Sequence, residues 1–414
     1  MKFKELNRNR LWKTNLIILI VLPILYFFAP FWKFNTNVKV SIQILNPVKK
    51  KIHYLTKSVD NINFFPNENF DHVIHFRNTF NYSETTKKFN GKFSDQQFPP
   101  YSLPSEWQSY NISYAFLRNV HVSRSPSIIT PKGRYADTPH HWLPQIQGPT
   151  KGKVIYHFDY AMAPGHSFCN NFGHFHIDYF PCILVMPKKV IKTYKILNVP
   201  SKNFVHEALD IIGVPRENRI PPLKYNELAF CKIVIYPFNP MIHQSSQGFP
   251  QKMIQKLYHD HFKLDEINAT RNCIINRRDT RVWYNCRKLL ASLQENYPQL
   301  KWELVEDIHG LSESAKIYAS IKFLMTPSGS NLFHCFLMHR GSVILTVEGN
   351  THDWSSILSI LACGIHHIIF QSPKLDHVAG FPGFAVDVDN FVKAAGYAVK
   401  YLTQGEFPKE ELVF

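Results

Sequence analysis

The stretch that decides the fold is residues 321–348, IKFLMTPSGSNLFHCFLMHRGSVILTVE. An apolar run leads into the small-residue cluster PSGS at 327–330, and a β-branched run occupies 343–347. Between them, Leu332 and Phe336 have helical spacing, so the pattern predicts strand, tight turn, helix, turn and strand. A small-residue turn before a helix offers free backbone N–H groups and a positive dipole end. In α/β proteins such a turn is where phosphate is held.

The same alternation extends on both sides of this stretch. We expect further strands at 153–159, 194–197, 232–236, 273–276, 302–305, 367–370 and 385–388, and helices from about Phe172 and at 283–295, 312–319, 331–339, 354–361 and 390–402. Strands that alternate with helices at this spacing favour a parallel, doubly wound sheet.

The amino-terminal region predicts a membrane anchor. Residues 1–15 form a short basic tail, and 16–32 form an apolar segment with no charge in its core. Positive charge before such a segment favours a cytosolic amino terminus, so we expect a type II signal-anchor, with a cleaved signal peptide as the alternative. Residues 33–105 have no sustained period and are interpreted as a luminal stem. Residues 106–250 and 251–414 then form two lobes.

Composition excludes some functions. The 414-residue chain has a formal net charge of +16, but its basic residues are scattered and carry no RNA-binding signature, so nucleic acid is not the expected partner. The seven cysteines form no Cys-x-x-Cys pair, which argues against a structural zinc site. Disulfides and buried free thiols both remain open. Glycosylation sequons begin at Asn81, Asn111 and Asn268.

The first candidate for chemistry is the segment NNFGHFHID at 170–178. On a strand, His174, His176 and Asp178 would share one face and resemble a metal site. On a helix, His174 and Asp178 lie one turn apart while His176 points away. Because Asn171 is a good N-cap residue, we favour the helix, where a carboxylate beside an imidazole can serve as a base.

Arginines follow the predicted strand at 273–276. Arg277 and Arg281 lie at the carboxyl end of that strand, where open α/β sheets bind ligands, and their planar guanidinium groups match diphosphate oxygens. We expect Asn285, one turn further on, to orient Arg281. Glu348 ends a later strand at the same sheet edge, where its carboxylate would accept hydrogen bonds from a ribose.

Together these segments resemble glycosyltransferase family 61. The family's Asn-x-Gly-His-x-x-x-Asp is similar to residues 171–178, its Arg-x-x-x-Arg-x-x-x-Asn to 277–285, its His-Gly-Ala-Gly-Leu to 328–332, and its terminal Glu to Glu348. The chain departs from the family in the last turn, where Ser328 and Ser330 replace the usual His and Ala, and Asn331 replaces the second Gly.

The resemblance implies a GT-B-like fold, in which two Rossmann-like lobes face each other across a cleft. It implies an inverting, metal-independent transfer from a UDP-linked sugar to a glycan or glycoprotein hydroxyl, with no cofactor, in the Golgi or endoplasmic reticulum membrane. Asp178 and His174 are then the catalytic pair. The expected donor-binding residues are Arg277, Arg281, Asn285, Ser328, Gly329, Ser330, Asn331 and Glu348. A metal-dependent hydrolase using His174, His176 and Asp178, and an inactive membrane-anchored glycan-binding protein, are the alternatives.

Overall fold

The computed structural model describes eleven segments of the chain. They are residues 72–79, 92–93, 109–124, 127–130, 133–135, 151–165, 167–237, 249–306, 310–348, 353–372 and 381–407. The predicted cytosolic tail, the apolar segment 16–32, most of the stem and Asn81 lie outside these residues. Within the described residues, no helix has the length and apolar character needed to span a membrane.

Fifteen strands are present in the described residues. They are β1 (His72–Thr79), β2 (Lys92–Phe93), β3 (Ser109–Val122), β4 (Ile128–Thr130), β5 (Gly133–Tyr135), β6 (Lys153–Met162), β7 (Lys195–Ile196), β8 (Glu227–Pro237), β9 (Arg271–Ile275), β10 (Val282–Trp283), β11 (Trp302–Val305), β12 (Ile321–Pro327), β13 (Val343–Glu348), β14 (His366–Gln371) and β15 (Gly383–Phe384).

The second half of the chain forms a wholly parallel sheet in the order β11-β9-β12-β13-β14-β2. Numbered along the chain from β9, its first five strands have the order 2-1-3-4-5, which is a doubly wound arrangement. The order reverses between β9 and β12. In such sheets, ligands bind beyond the carboxyl ends of the strands at this reversal, so the topology directs attention to the residues after Ile275 and Pro327.

Both faces of this sheet are buried, as the apolar character of its strands predicts. Leu324 and Ile344 point into one cluster of core side chains, whereas their neighbours Met325 and Leu345 point into another. This is the alternation that a pleated strand imposes. The first cluster also contains Phe180 from the other half of the chain, so the layer between the two sheets is one continuous core.

The first sheet is mixed, with the order β5-β4-β3-β8-β6-β7 and β1 beside β3. Only β6, β7 and β8 pair in parallel, whereas β3 runs antiparallel to β8, β4 and β1. The sequence did not reveal β3, because Asn111, Arg118 and His121 interrupt its apolar residues. It is nevertheless fourteen residues long, and residues 114–117 are buried at its centre.

The helices connect these strands. They are α1 (Phe172–His174), a π-helical turn (Phe175–Tyr179), α2 (Phe180–Leu184), α3 (Lys188–Thr193), α4 (Asn203–Ile211), α5 (Phe249–Phe262), α6 (Cys286–Asn296), α7 (Leu311–Ala319), α8 (Trp354–Ala362) and α9 (Val388–Gln404). Short 3₁₀ helices occupy Ser167–Asn170, Arg216–Asn218, Leu264–Glu266 and Ser330–Leu337.

Two predictions are wrong in detail. The helix expected at 331–339 is a 3₁₀ helix spanning Ser330–Leu337, which is a tighter coil with a similar side-chain repeat. The strand expected at 385–388 is absent: β15 ends at Phe384, and α9 begins at Val388 with Asp387 as its N-cap. The Asp387 side chain accepts a hydrogen bond from the Asn390 backbone N–H. This N-cap starts α9 within the stretch that was predicted to be a strand.

All seven cysteines are buried with free thiols. Burial raises the pKa of Cys231 and of Cys286 to about 12, so both stay protonated at neutral pH. The interpretation of these residues as small apolar core side chains is therefore confirmed.

Candidate functional site

The segment 172–184 is helical, as predicted, but its middle turn is π-helical. Asn171 caps the start, since its Oδ1 accepts from the backbone N–H of Gly173 at 2.9 Å. In the π turn, the Phe180 N–H donates to the carbonyl of Phe175, five residues back. Such turns insert one extra residue into a helix and occur often at functional sites.

His174 and Asp178 form a hydrogen-bonded pair on this segment. Nδ1 of His174 lies 2.8 Å from Oδ2 of Asp178, and the side chains are 32% and 2% exposed, respectively. Nδ1–H of His174 donates to this carboxylate. The imidazole is thus the more exposed member of the pair, with the carboxylate buried behind it.

His176 belongs to the core. Its Nδ1 donates to the Phe172 carbonyl at 2.8 Å, and its Nε2 pairs with the Tyr258 hydroxyl at 2.7 Å. Burial lowers the pKa of His176 to about 3, so the ring is neutral. Both ring nitrogens of His176 are thus occupied by hydrogen bonds within the core. The alternative prediction, a metal site formed by His174, His176 and Asp178, is therefore wrong.

The arginine loop after β9 is organised by Asn276. Oδ1 of Asn276 accepts from the backbone N–H groups of Arg277 and Trp283, at 3.0 and 2.9 Å, and its Nδ2 donates to the Trp283 carbonyl. Arg277 is held from within the same loop, where its Nε donates to the Thr280 carbonyl at 2.8 Å. Its guanidinium is thus fixed in place by the loop itself.

Arg281 has the left-handed backbone conformation, with φ of 56°, which is uncommon for a residue with a Cβ. Its backbone N–H donates to the Phe381 carbonyl at 2.7 Å, and Val282 continues this pairing into the short ladder of β10 and β15. Burial lowers the pKa of Arg281 from its ordinary value. Among the described residues, its guanidinium makes neither a hydrogen bond nor an ion pair. A partly desolvated cation is therefore held without a direct counterion in that part of the chain.

Gly329 lies where the two arginines converge. Its φ of 128° is in the region that favours glycine, and an added Cβ would collide with the Arg277 guanidinium and lie 3.0 Å from Nη2 of Arg281. Nη1 of Arg277 also reaches toward the Ser328 carbonyl at 3.5 Å. The predicted phosphate turn and both arginines thus meet at the carboxyl ends of β9 and β12.

The turn also contacts the His174 helix. Oγ of Ser330 donates to Oδ1 of Asn171 at 2.7 Å, which is the atom that caps the helix. An added Cβ at Gly173 would lie 2.7 Å from the ring of Phe333, so only glycine permits this approach. The structure therefore brings together three motifs, the outer two of which touch across 159 residues of sequence.

Comparison with known families agrees with this assembly. The family described as Glycosyltransferase 61 matches residues 172–345, which include the His174 helix, the arginine loop and the turn at Gly329. The segment 172–345 therefore belongs to this family. No curated protein matches the chain.

The other predicted family residues at the turn are buried. Ser328 and Asn331 follow β12 directly, and neither Oγ of Ser328 nor Nδ2 of Asn331 has a hydrogen-bond partner among the described residues. Glu348 ends β13, next to β12, and its carboxylate is fully buried. All three lie at the carboxyl edge of the parallel sheet, close to the order reversal.

Asn285 does not orient Arg281, so that prediction is wrong. Its Nδ2 donates to the Val386 carbonyl at 2.7 Å, and its Oδ1 accepts from the Val386 N–H at 2.9 Å. These two bonds extend the pairing of β10 with β15 and tie down the segment that holds the Arg281 backbone. Asn285 thus supports the arginine loop from a distance.

Three residues beside these motifs were not among the predicted site residues. Asn276 shapes the arginine loop, and the ring of His334 stacks between Phe172 and Tyr318 with centroids 4.3 Å from each. Phe168 is 46% exposed, with its ring 5.8 Å from that of His174. Of the predicted glycosylation sites, Asn268 is exposed and Asn111 lies in β3.

Proposed function

We propose that this glycosyltransferase moves a sugar from a nucleotide-sugar donor, UDP-linked, to a hydroxyl of a glycan or glycoprotein, with inversion at the anomeric carbon. The observation that carries the proposal is the pair of arginines at Gly329. Two guanidinium groups side by side repel each other and lose hydration on burial, so a ligand with at least two negative charges stabilises them. A nucleoside diphosphate is such a ligand.

In the proposed donor complex, Arg277 and Arg281 contact the diphosphate, and the Ser328–Asn331 turn contributes backbone N–H groups and side-chain donors. This arrangement stabilises the charge that develops on the leaving group without a divalent ion, since oriented donors and guanidinium groups act as the counter-charge. Glu348 accepts hydrogen bonds from the ribose. The buried, unbonded donor atoms of Ser328 and Asn331 support this assignment.

In the proposed acceptor step, His174 is the general base. Nε2 removes the proton of the acceptor hydroxyl, and the oxygen attacks the anomeric carbon from the side opposite the diphosphate. Asp178 orients the ring and stabilises the imidazolium that forms. Of the two bases that the sequence left open, exposure supports His174, because the Asp178 carboxylate is almost fully buried.

The cellular setting extends the proposal. The apolar segment 16–32 anchors the protein in the Golgi or endoplasmic reticulum membrane as a type II protein, with the catalytic part in the lumen. We assign β3–β8 to one lobe of a GT-B arrangement, at 106–250, and β9–β15 to the other, at 251–414, with the donor on the second lobe. The basic composition suits a protein that handles anionic sugar nucleotides.

The test is a thermal-shift screen of the detergent-solubilised full chain against nucleoside diphosphates and their sugars, followed by transfer assays with the donor that binds. A donor that binds the folded protein raises the unfolding temperature, and the rise increases with the ratio of donor concentration to Kd. We expect one base to dominate the screen. Gly329→Ala should abolish the shift, because the added Cβ displaces both guanidinium groups.

Gly213→Ala is the matched control. Gly213 also has a positive φ, of 76°, but an added Cβ there meets no atom within 4 Å. It imposes similar backbone strain without obstruction and should leave the donor shift intact. Absence of any nucleotide shift in the folded wild-type protein would reject the enzyme and support the glycan-binding alternative.

A further inference from the structure

We propose that His259, Asp265 and His339 form a structural binding site for a divalent transition-metal ion of the zinc type, on the side of the parallel sheet away from the transfer site. His259 lies in the last turn of α5, Asp265 in the 3₁₀ turn Leu264–Glu266, and His339 just after the 3₁₀ helix Ser330–Leu337. One ligand atom from each lies within 4.8 Å of the others.

The distances suit a small coordination sphere. Nδ1 of His259 lies 2.7 Å from Oδ1 of Asp265, and Nδ1 of His339 lies 3.9 Å from the same oxygen. Zinc bound at about 2.0–2.1 Å in tetrahedral geometry separates its ligand atoms by about 3.3 Å, which falls between these two values. The third pair, His259 and His339, lies within the 4.8 Å limit of the cluster, so side-chain adjustments of at most about 1.5 Å would complete a site with three protein ligands.

His259 has an acceptor beside each ring nitrogen. Its Nε2–H can donate to the Met338 carbonyl at 3.2 Å, and its Nδ1 lies 2.7 Å from Oδ1 of Asp265. A metal ion bound at Nδ1 would take the place of the proton that Nδ1 donates to Asp265. A metal-binding histidine characteristically donates its other N–H to a carbonyl or carboxylate in this way.

The ligand set indicates the class of metal. Two imidazoles and one carboxylate suit zinc and its transition-metal neighbours rather than calcium or magnesium, which prefer oxygen ligands. The Asp265 side chain is 76% exposed, whereas His259 and His339 are 9% and 21% exposed. Water therefore reaches the fourth position from the Asp265 side.

The position of the site implies a structural role. His339 precedes β13, so it lies at the amino edge of the sheet, whereas Ser328–Asn331 lie at the carboxyl edge. The eight-residue 3₁₀ helix between them spans about 16 Å at 2.0 Å per residue. A metal here would fasten α5 to the far end of the helix that begins at the phosphate turn. The side chain of Gln255 already makes such a link, donating to the carbonyls of Met338 and Cys363 at 3.1 Å.

The test measures Zn²⁺ binding to the metal-stripped full chain by competition with a chromophoric chelator, with Co²⁺ as a spectroscopic substitute. We expect one ion per chain, a Co²⁺ absorption band typical of tetrahedral nitrogen and oxygen ligands, and a Zn²⁺-dependent rise in unfolding temperature. Asp265→Asn and His339→Gln should each lose all three. The exposed Asp265 makes its variant the one least able to disturb folding.

Asp260→Asn is the control, because Asp260 lies on the same helix and pairs with Lys256 at 2.9 Å outside the cluster. It should bind Zn²⁺ like the wild type. Equal Zn²⁺ binding by Asp265→Asn, or no binding by the wild type, would overturn the proposal. Neither result bears on the transferase proposal, which is read from nucleotide binding at the opposite edge of the sheet.

Discussion

The two halves of the candidate site differ in how their charged groups are held. On the helical segment, His174 donates to the Asp178 carboxylate through one hydrogen bond of 2.8 Å. In the arginine loop, two guanidinium groups converge on Gly329. That of Arg281 has no hydrogen bond or ion pair in the described part of the chain, and the carboxylate that acts on it electrostatically is that of Asp353. The first half thus pairs its carboxylate directly, whereas Arg281 in the second half has only a more distant counter-charge. Chemistry and donor recognition should therefore be separable by mutation.

The largest expected effect comes from the helical half. His174→Ala should lower the transfer rate about 10²–10⁴-fold, the usual contribution of a general base. Affinity for the nucleoside diphosphate should stay within experimental error, since the contacts described for His174, with Asp178 and Phe168, lie within its own segment. Transfer assays alongside calorimetric titration check both. A parallel loss of donor affinity would show that the two halves are not separable.

The next largest effect comes from the arginine half. Arg281→Ala should weaken nucleoside diphosphate binding about 10–100-fold, because a hydrogen bond to a charged group contributes about 1.5–3 kcal/mol. Arg278→Ala is the matched control, since Arg278 is exposed and its guanidinium lies 3.9 Å from the Glu306 carboxylate. Titration calorimetry measures the nucleoside diphosphate affinity of both variants. Equal loss in the control would mean that general positive charge, rather than the convergence at Gly329, holds the donor.

A third effect is the pH dependence of stability, to which the buried His176 of the helical half contributes. The pKa of buried His176 is lowered to about 3, whereas the unfolded chain takes up this proton near pH 6.5. The unfolded state therefore binds more protons between these values, so stability falls as the pH drops below about 6.5. The slope contributed by this group is at most about 1.4 kcal/mol per pH unit. Denaturant unfolding at several pH values measures it.

His176→Gln is the variant for this measurement, because glutamine retains hydrogen-bonding groups but does not titrate in this range. Its stability should depend less steeply on pH than that of the wild type between about pH 3 and 6.5. Identical slopes in the two proteins would show that His176 is not the source of the acid sensitivity.

The smallest effect concerns the bond that joins the two halves. Ser330→Ala removes the hydrogen bond of 2.7 Å to Asn171, which contributes about 0.5–1.5 kcal/mol. We expect the transfer rate to fall a few-fold, with a smaller loss of donor affinity than in Arg281→Ala, because the Ser330 hydroxyl is engaged with Asn171. Steady-state kinetics distinguish a lower transfer rate from a loss of donor binding. Ser330→Thr, which keeps the hydroxyl, should retain more activity than the alanine variant.

Continuous patterns in the sequence predicted much of the fold. Residues 321–348 predicted two strands because their apolar runs are uninterrupted. The observed order of the parallel strands is doubly wound, as the alternation of strands and helices predicted. The prediction that Asn285 orients Arg281 was wrong because it assumed a helix from Arg281 onward. In the structure Arg281 is left-handed and the helix begins only at Cys286.

Contacts between distant segments could not be predicted in this way. The stack of Phe172, His334 and Tyr318 draws one ring from each of three elements, and none of them carries a local signal. The His259–Asp265–His339 cluster was missed for the same reason. The convergence of Arg277 and Arg281 on Gly329 was expected only in outline, from the carboxyl ends of neighbouring strands, because the left-handed turn at Arg281 has no sequence signature.

The π-helical turn at Phe175–Tyr179 has a consequence for sequence comparison and for protein engineering. The turn holds one residue more than an ordinary α-helical turn, so the number of residues in this stretch is part of its structure. Deleting one residue at 175–177 would restore a regular helix and change the spacing of His174 and Asp178 from four residues to three. An aligned gap at these positions would therefore mark a relative in which the pair has a different geometry.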